Sequence, residues 1–252
     1  MKIVRVAVGI VASLWVAGAA SLAVAAGKAH WSYEGQEGPS HWAALSPEYS
    51  SCAGKSQSPV DLVPARMIEA ELPALTFSLQ PTPLNVLNNG HTIQVDCNGS
   101  STLQIDGRTF HLKQFHFHSP SENLIDGKSY AMEAHLVHTD DEGNLAVVAV
   151  MIESGAANAF LAKVWPSMPA AAGGRTQPAG VQVNLSDFLP ADRDYYRYDG
   201  SLTTPPCTEG VRWLVLKRSV TASPQQVEEF EHVMHHANNR PAQPLNARVV
   251  MK

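Results

Sequence analysis

The sequence predicts a mainly β, single-domain fold: one large, twisted, mostly antiparallel central sheet with short helices at its periphery. Three observations carry this. Seven runs of β-branched, aromatic and aliphatic residues read as strands. Asn-Gly and Asp-Gly breaks separate several of them, and such dipeptides favour hairpin turns. Only two segments carry helix signals, and no repeat or internal boundary divides the chain. With 252 residues, 44% of them hydrophobic, it can bury one substantial core.

The elements follow in order. Residues 1–25 read as a secretory signal peptide, leaving 26–252 as the domain. Lys2 and Arg5 precede an apolar run from Val6 to Val24, and Ala23-Val24-Ala25 offers a small-x-small cleavage site. The run is nearly long enough to span a bilayer, but the small residues from Ala17 onward favour cleavage. No cysteine lies near the cleavage point, which argues against a lipoprotein anchor. Cleavage leaves sixteen basic against twenty-three acidic residues, a formal charge of −7. That balance argues against nucleic acid and anionic membranes as partners. The expected destination is the periplasm or the medium, with no membrane association after cleavage; a homodimer is compatible with the sequence.

From His30 to Pro64 an aperiodic Gly-, Pro- and Ser-rich stretch reads as an irregular wrap in which Trp31, Tyr33 and Trp42 need burial. The strand-like runs are Leu84 to Leu87, Thr92 to Cys97, Ser101 to Ile105, Phe110 to His118, Tyr130 to His138, Leu145 to Ile152 and Val211 to Lys217. Breaks fall at Asn89-Gly90, Asn98-Gly99, Asp106-Gly107 and Asp126-Gly127. Ala157 to Val164 reads as a short helix, and Pro169 to Gly180 as a loop. Ser223-Pro224-Gln225-Gln226 reads as N-cap, N1 proline and capping-box glutamine, with Val227, Phe230 and Met234 then sharing one helix face.

The chemistry concentrates in Gln114-Phe115-His116-Phe117-His118 and Glu133-Ala134-His135. Two residues apart on a strand, His116 and His118 share a face, while Phe115 and Phe117 point into a core. His135 on a second strand completes three imidazoles, a ligand set for zinc that leaves a fourth tetrahedral position open. Gln114 and Glu133 each precede a histidine by two residues on the same face, where each can accept the spare imidazole N–H. His116-x-His118-x3-Glu122 also resembles the first cupin motif, in which the glutamate would bind metal. The glycine that cupins place before the pair is missing, Gly107 being too far upstream, and so is their later Pro-x-Gly-x2-His. Cys52, Cys97 and Cys207 allow three single pairings, and spacing does not choose among them.

The whole mature chain resembles the α-class carbonic anhydrases. Matching segments are Trp31-Ser-Tyr33-Glu-Gly35, His41-Trp42, Gln57-Ser58-Pro59-Val60, Asn88-Asn89-Gly90-His91 and Gln114 through His118. They continue with Ser121-Glu122, Glu133-Ala-His135-Leu-Val137-His138, Gly200-Ser-Leu202-Thr203-Thr204-Pro205-Pro206, Val211-Arg-Trp213 and Asn239 through Leu245. The histidine motif together with Ser-Leu-Thr-Thr-Pro-Pro is highly specific.

The resemblance implies one Zn(2+) per chain on His116, His118 and His135. The reaction it implies is reversible hydration of carbon dioxide to bicarbonate and a proton by zinc-bound hydroxide. Thr203 and Glu122 would orient that nucleophile by a hydrogen-bond relay. Val137, Val147, Leu202, Thr204, Val211 and Trp213 would form the substrate pocket, although its apolar members would equally pass as core. His91 would shuttle protons, an unperturbed imidazole pKa of about 6.5 lying close to working pH. Tyr33, Asn89 and Gln94 would order the intervening waters; Gln94 stands where asparagine is frequent. Cys52 and Cys207 would pair, tying the wrap to the loop of Thr203, with about 4–5 kcal/mol of loop-closure stabilisation. Cys97 would then be the odd thiol. An inactive binding relative would usually lack a zinc histidine, and a zinc-buffering protein would need neither the Thr203–Glu122 pair nor a shuttle.

Overall fold

The computed structural model describes Met1 and residues 29–252. Residues 2–25 of the expected signal peptide, with its cleavage site, lie outside them. Among the described residues no helix is long and apolar enough to cross a membrane.

Eleven strands form one sheet. In chain order they are β1 (Thr76–Ser78), β2 (Val86–Asn88), β3 (Ile93–Asp96), β4 (Thr102–Ile105), β5 (Arg108–His118), β6 (Met132–Thr139), β7 (Leu145–Ser154), β8 (Arg175–Thr176), β9 (Tyr195–Ser201), β10 (Glu209–Leu216) and β11 (Val220–Ala222). Across the sheet they run β8-β2-β3-β5-β6-β7-β10-β9, with β4 also on β5, β1 on β4 and β11 on β7. The ladders of β7 with β10 and with β11 are parallel; the others are antiparallel. The mainly β, mostly antiparallel expectation therefore holds. The expected runs all fall on strands, with ends shifted by a few residues; Val86–Asn88 replaces Leu84 to Leu87.

Four strands of this sheet are additional to the sequence reading, among them the three-residue Val220–Ala222, which pairs with β7. Thr76–Ser78 is too short for a periodic signal. Tyr195–Ser201 mixes Arg197 and Asp199 into its alternation because it lies beside β10 near the end of the sheet path. Arg175–Thr176 falls inside the expected loop from Pro169 to Gly180, where it pairs with β2. At Asp106-Gly107 both residues have positive φ, the backbone that a two-residue hairpin between β4 and β5 requires.

A bulge decides the faces of β5. The register slips between Leu112 and Gln114. Before it, Phe110 and Leu112 are buried in the main core; after it, Phe115 and Phe117 take that role. An extra residue reverses the alternation of every side chain beyond it. Gln114, His116 and His118 are thereby turned to the opposite face from the apolar run that precedes them.

The main core lies under the Phe115 and Phe117 face, closed by α2 (Ala159–Val164) and α3 (Pro224–Met234). Phe117 packs edge-on to Trp165 at 4.9 Å and lies 6.3 Å from Phe230. Truncating such a buried phenylalanine to alanine costs about 3–5 kcal/mol. The expected capping box of α3 forms: Ser223 Oγ accepts the Gln226 N–H, and Gln226 Oε1 accepts the Ser223 N–H. Phe230 and Met234 are buried and Val227 partly so.

The opposite face carries a second apolar cluster and the histidines. The wrap from His30 to Pro64 is built of 3-10 turns and a four-residue helix, α1 (Trp42–Leu45). Trp42 is fully buried, its indole N–H shared between the carbonyls of Ser32 and Glu37, both at 2.9 Å. Trp31 and Tyr33 are only partly buried because they line a cavity instead. Cys52 and Cys207 form a disulfide, closing a sequence separation of 155 residues. Cys97 is a free thiol that burial and Asp96 push up to about 12.

Candidate metal centre and its cavity

His116 and His135 stand directly opposite one another on β5 and β6, and His118 is opposite Glu133. One nitrogen of each imidazole is held from behind. His116 Nδ1 meets Gln114 Oε1 at 2.8 Å, His135 Nε2 meets Glu133 Oε1 at 2.9 Å, and His118 Nδ1 meets the Asn238 carbonyl at 2.7 Å. An acceptor at one nitrogen fixes the proton there and leaves the other nitrogen as a lone-pair donor. The three ligand atoms lie within 4.8 Å of one another. His118 Nε2 is buried without a hydrogen-bond partner. Burial lowers the pKa of all three rings, which keeps them neutral. Converging neutral imidazoles with an orphaned buried nitrogen fit a zinc ion.

Glu133 is fully buried and saturated. Its Oε2 accepts the N–H groups of Glu122 and Asn123, both at 2.8 Å, and its Oε1 accepts the Asn123 amide at 2.7 Å besides His135. Glu122 is different. Its Oε1 accepts the Arg240 N–H at 2.8 Å, but its Oε2 is buried without a partner, 3.5 Å from His118 Nε2 and 3.8 Å from His135 Nδ1. Burial raises the Glu122 pKa to about 8, opposed by the Arg240 amide and the Thr203 hydroxyl. Thr203 is thus next to Glu122 and 5% exposed, although the two make no bond of good hydrogen-bond geometry.

The cavity over the histidines, about 110 Å³, is lined by Trp31, Tyr33, Asn89, His91, Thr92, Gln94, Gln114, His116, His118 and Thr204. Asn89 Oδ1 accepts the N–H of His91 and of Thr92, each at 2.9 Å, which shapes the turn carrying His91. Asn89 Nδ2 reaches Gln94 Oε1 at 3.4 Å, and Gln94 Nε2 donates to Asp96 at 2.6 Å, so both ends of the Gln94 amide are engaged. The Tyr33 hydroxyl is buried without a partner. The His91 ring stacks on Trp31 with centroids 3.7 Å apart. That burial, with His30 and His236 nearby, pushes its pKa down to about 4, well below the ordinary value expected from sequence.

Val147, Val211 and Trp213 are buried in the second cluster, and Val137 and Leu202 pack against it. Trp213 stands edge-on to His135 at 4.9 Å, which puts this apolar wall beside the histidines. The sequence reading therefore named residues that the fold brings together. It did not assign Asn238, whose carbonyl holds His118, because a backbone acceptor leaves no side-chain signature. Nor did it give roles to Asn123 or to Arg240. Arg240 is 1% exposed, and its guanidinium donates to Gln57 Oε1 and to the carbonyls of Ser58 and Cys52. The signal for Arg240 was an arginine amid Asn239 and Pro241 with no acidic neighbour.

Comparison with known proteins gives concordant results. The family model for eukaryotic-type carbonic anhydrase matches residues 37–252. The chain is 47% identical over 230 residues to the carbonic anhydrase of Pectobacterium atrosepticum, covering 91% of this chain and 93% of that one. It is 49% identical over 226 residues to that of Klebsiella pneumoniae, covering 88% and 91%. Among solved structures, the α-carbonic anhydrase of Thermovibrio ammonificans, in complex with the inhibitor sulfanilamide, superposes with a TM-score of 0.87. It shares 49% identity and covers 90% of this chain and all of its own.

Proposed function

This chain belongs to the eukaryotic-type carbonic anhydrase family, and from that premise we propose that it hydrates carbon dioxide reversibly to bicarbonate and a proton with one zinc ion held by His116, His118 and His135. The observation that carries the reading is the convergence of three back-held, neutral imidazoles on one point. When bound, zinc is the Lewis acid that brings the ionisation of water into the neutral range, as is established for this family. The carbon dioxide hydration that defines the family needs this and little covalent chemistry from the protein.

The residues around the centre orient the partners. With zinc bound, the Thr203 hydroxyl would accept a hydrogen from the nucleophile and turn its own toward Glu122. Glu122 Oε2, lacking another partner, is available to accept it, and its ionised form is favoured by a divalent cation nearby. That order leaves a lone pair of the nucleophile aimed at carbon. Val137, Val147, Leu202, Val211 and Trp213 offer a small apolar substrate an uncharged wall, with Thr204 at its polar edge. His91 carries the released proton between the cavity and solvent. Tyr33, Asn89 and Gln94 border its path. From a stack that holds its pKa near 4, it must leave Trp31 to accept a proton readily.

Residues 26–252 act after export to the periplasm or medium. The Cys52–Cys207 disulfide supports an oxidising destination. Two measurements test the reading. Purified protein should acidify a carbon dioxide solution catalytically, lose that activity on chelation and regain it with zinc. Activity that survives complete zinc removal would contradict it. The N-terminus of exported protein should start near Ala26; retention of Met1 would contradict cleavage.

A further inference from the structure

Asn238 follows α3 in sequence and is fully buried. All four of its polar groups are engaged. Its carbonyl accepts His118 Nδ1 at 2.7 Å and its N–H donates to the Ser119 carbonyl at 3.2 Å. Its side-chain oxygen accepts the Ser119 N–H at 2.8 Å. Its side-chain nitrogen donates twice, to the carbonyls of Phe117 and His91, both at 3.0 Å. The backbone bond to His118 orients a ligand. The side-chain bond to His91 does something separate: it ties the turn carrying His91 to Asn238, 147 residues away, whose second side-chain bond reaches Phe117 near the end of β5. The same Phe117 carbonyl also accepts the Thr92 hydroxyl, so the turn is tied to the ligand strand at two adjacent residues. A smaller polar residue could satisfy Ser119 alone; the carbonyls of Phe117 and His91 are what call for an amide.

We propose that the Asn238 side-chain amide is a positioning residue for proton export, clamping the His91 carbonyl to the strand that carries His116 and His118 and so setting the distance from His91 to the metal centre. The inference rests on the reading of His91 as the proton carrier. The amide is suited to the task in a way a carboxylate is not. Its two N–H groups meet two carbonyls, whereas aspartate would set its own oxygen lone pairs against them while still accepting from Ser119. The backbone carbonyl that holds His118 remains in any substitution. Metal retention and proton export are therefore separable.

The test compares Asn238→Asp with the parent and repeats the change in a His91→Ala background. Asn238→Asp should keep about one zinc per chain, and amide exchange at His91 and Thr92 should accelerate. In dilute buffer kcat should fall about 10-fold, a misplacement of about 1 Å being worth up to ~100-fold. The fall in kcat should exceed that in kcat/KM, and added imidazole should restore much of it. In the His91→Ala background the second change should lower kcat no further. Equal losses of kcat and kcat/KM in both backgrounds, or no loss in either, would overturn the proposal. A parent-like kcat for His91→Ala alone would instead overturn the reading of His91. If Asn238→Asp does not yield folded protein, Asn238→Ser takes its place. Its hydroxyl is too short to span both Ser119 and His91, and the same outcomes decide.

Discussion

Glu133 holds Glu122 by its backbone. One oxygen of the Glu133 carboxylate accepts the Glu122 N–H at 2.8 Å while the other accepts His135 Nε2 at 2.9 Å. A single buried acid thus orients one imidazole of the metal centre and fixes the start of the segment from which Glu122 reaches toward the same centre. Burial raises the pKa of both acids, and the amide donors of Asn123 on Glu133 and of Arg240 on Glu122 oppose it. The two acids divide their work: Glu133 is saturated, and Glu122 retains an oxygen without a partner.

Glu133→Gln should therefore do more than weaken one ligand. The amide can present an N–H to His135 instead of an acceptor, which disfavours the tautomer with its lone pair toward the metal. Zinc affinity should fall about 10–100-fold in a chelator competition. Parent-like affinity would show that Glu133 serves only the backbone of Glu122.

Thr203→Ala should retain zinc and lose activity. In the proposed relay the hydroxyl orients the nucleophile, and it touches no ligand nitrogen in the hydrogen-bond pattern of the site. A loss in kcat/KM on the order of 10²-fold is expected for a misoriented attack, with much of it restored in Thr203→Ser. Glu122→Gln should be harmful by the same route. A Thr203→Ala protein as active as the parent would refute the relay.

His91 gives a pH prediction of definite sign. Burial against Trp31 disfavours the charged imidazolium, so its pKa lies near 4 in the stacked position. Trp31→Ala removes the stacking surface and should raise the His91 pKa toward the unperturbed value of about 6.5. An NMR titration of the His91 ring checks this. An unchanged value would mean that His30 and His236, not the stack, hold it down.

His138 gives another. It is 1% exposed, bonded at 2.8 Å from Nδ1 to the Leu136 carbonyl, and burial pushes its pKa to about 4. The unfolded chain, with a pKa of about 6.5, binds the proton first as pH falls. Stability from this group is complete above about 6.5, is lost between there and about 4, and is level below. The full loss is about 3 kcal/mol. His138→Gln should flatten the parent's slope of unfolding free energy in that window. An unaltered slope would assign acid sensitivity elsewhere.

Much of this was legible in the sequence because it rests on short-range rules. His-x-His on a strand shares a face, Ser-Pro-Gln-Gln starts a helix, and Asp-Gly closes a hairpin. Gln114 and Glu133 were readable because they act two residues from their histidines. What escaped was set by long-range or backbone geometry. The bulge before Gln114 reverses the face of β5 with no glycine to mark it. The Asn238 carbonyl reaches His118 over 120 residues with an atom every residue possesses. The depressed pKa of His91 arises because a turn and the N-terminal wrap meet in space.

The proposed function stands on three histidines holding the zinc on which carbon dioxide hydration depends. The most direct test is stopped-flow carbon dioxide hydration by the parent and His118→Ala, with zinc measured in the same samples. About one zinc per chain with rapid hydration is expected in the parent, and loss of metal and activity together in His118→Ala. Full hydration activity in His118→Ala would contradict it.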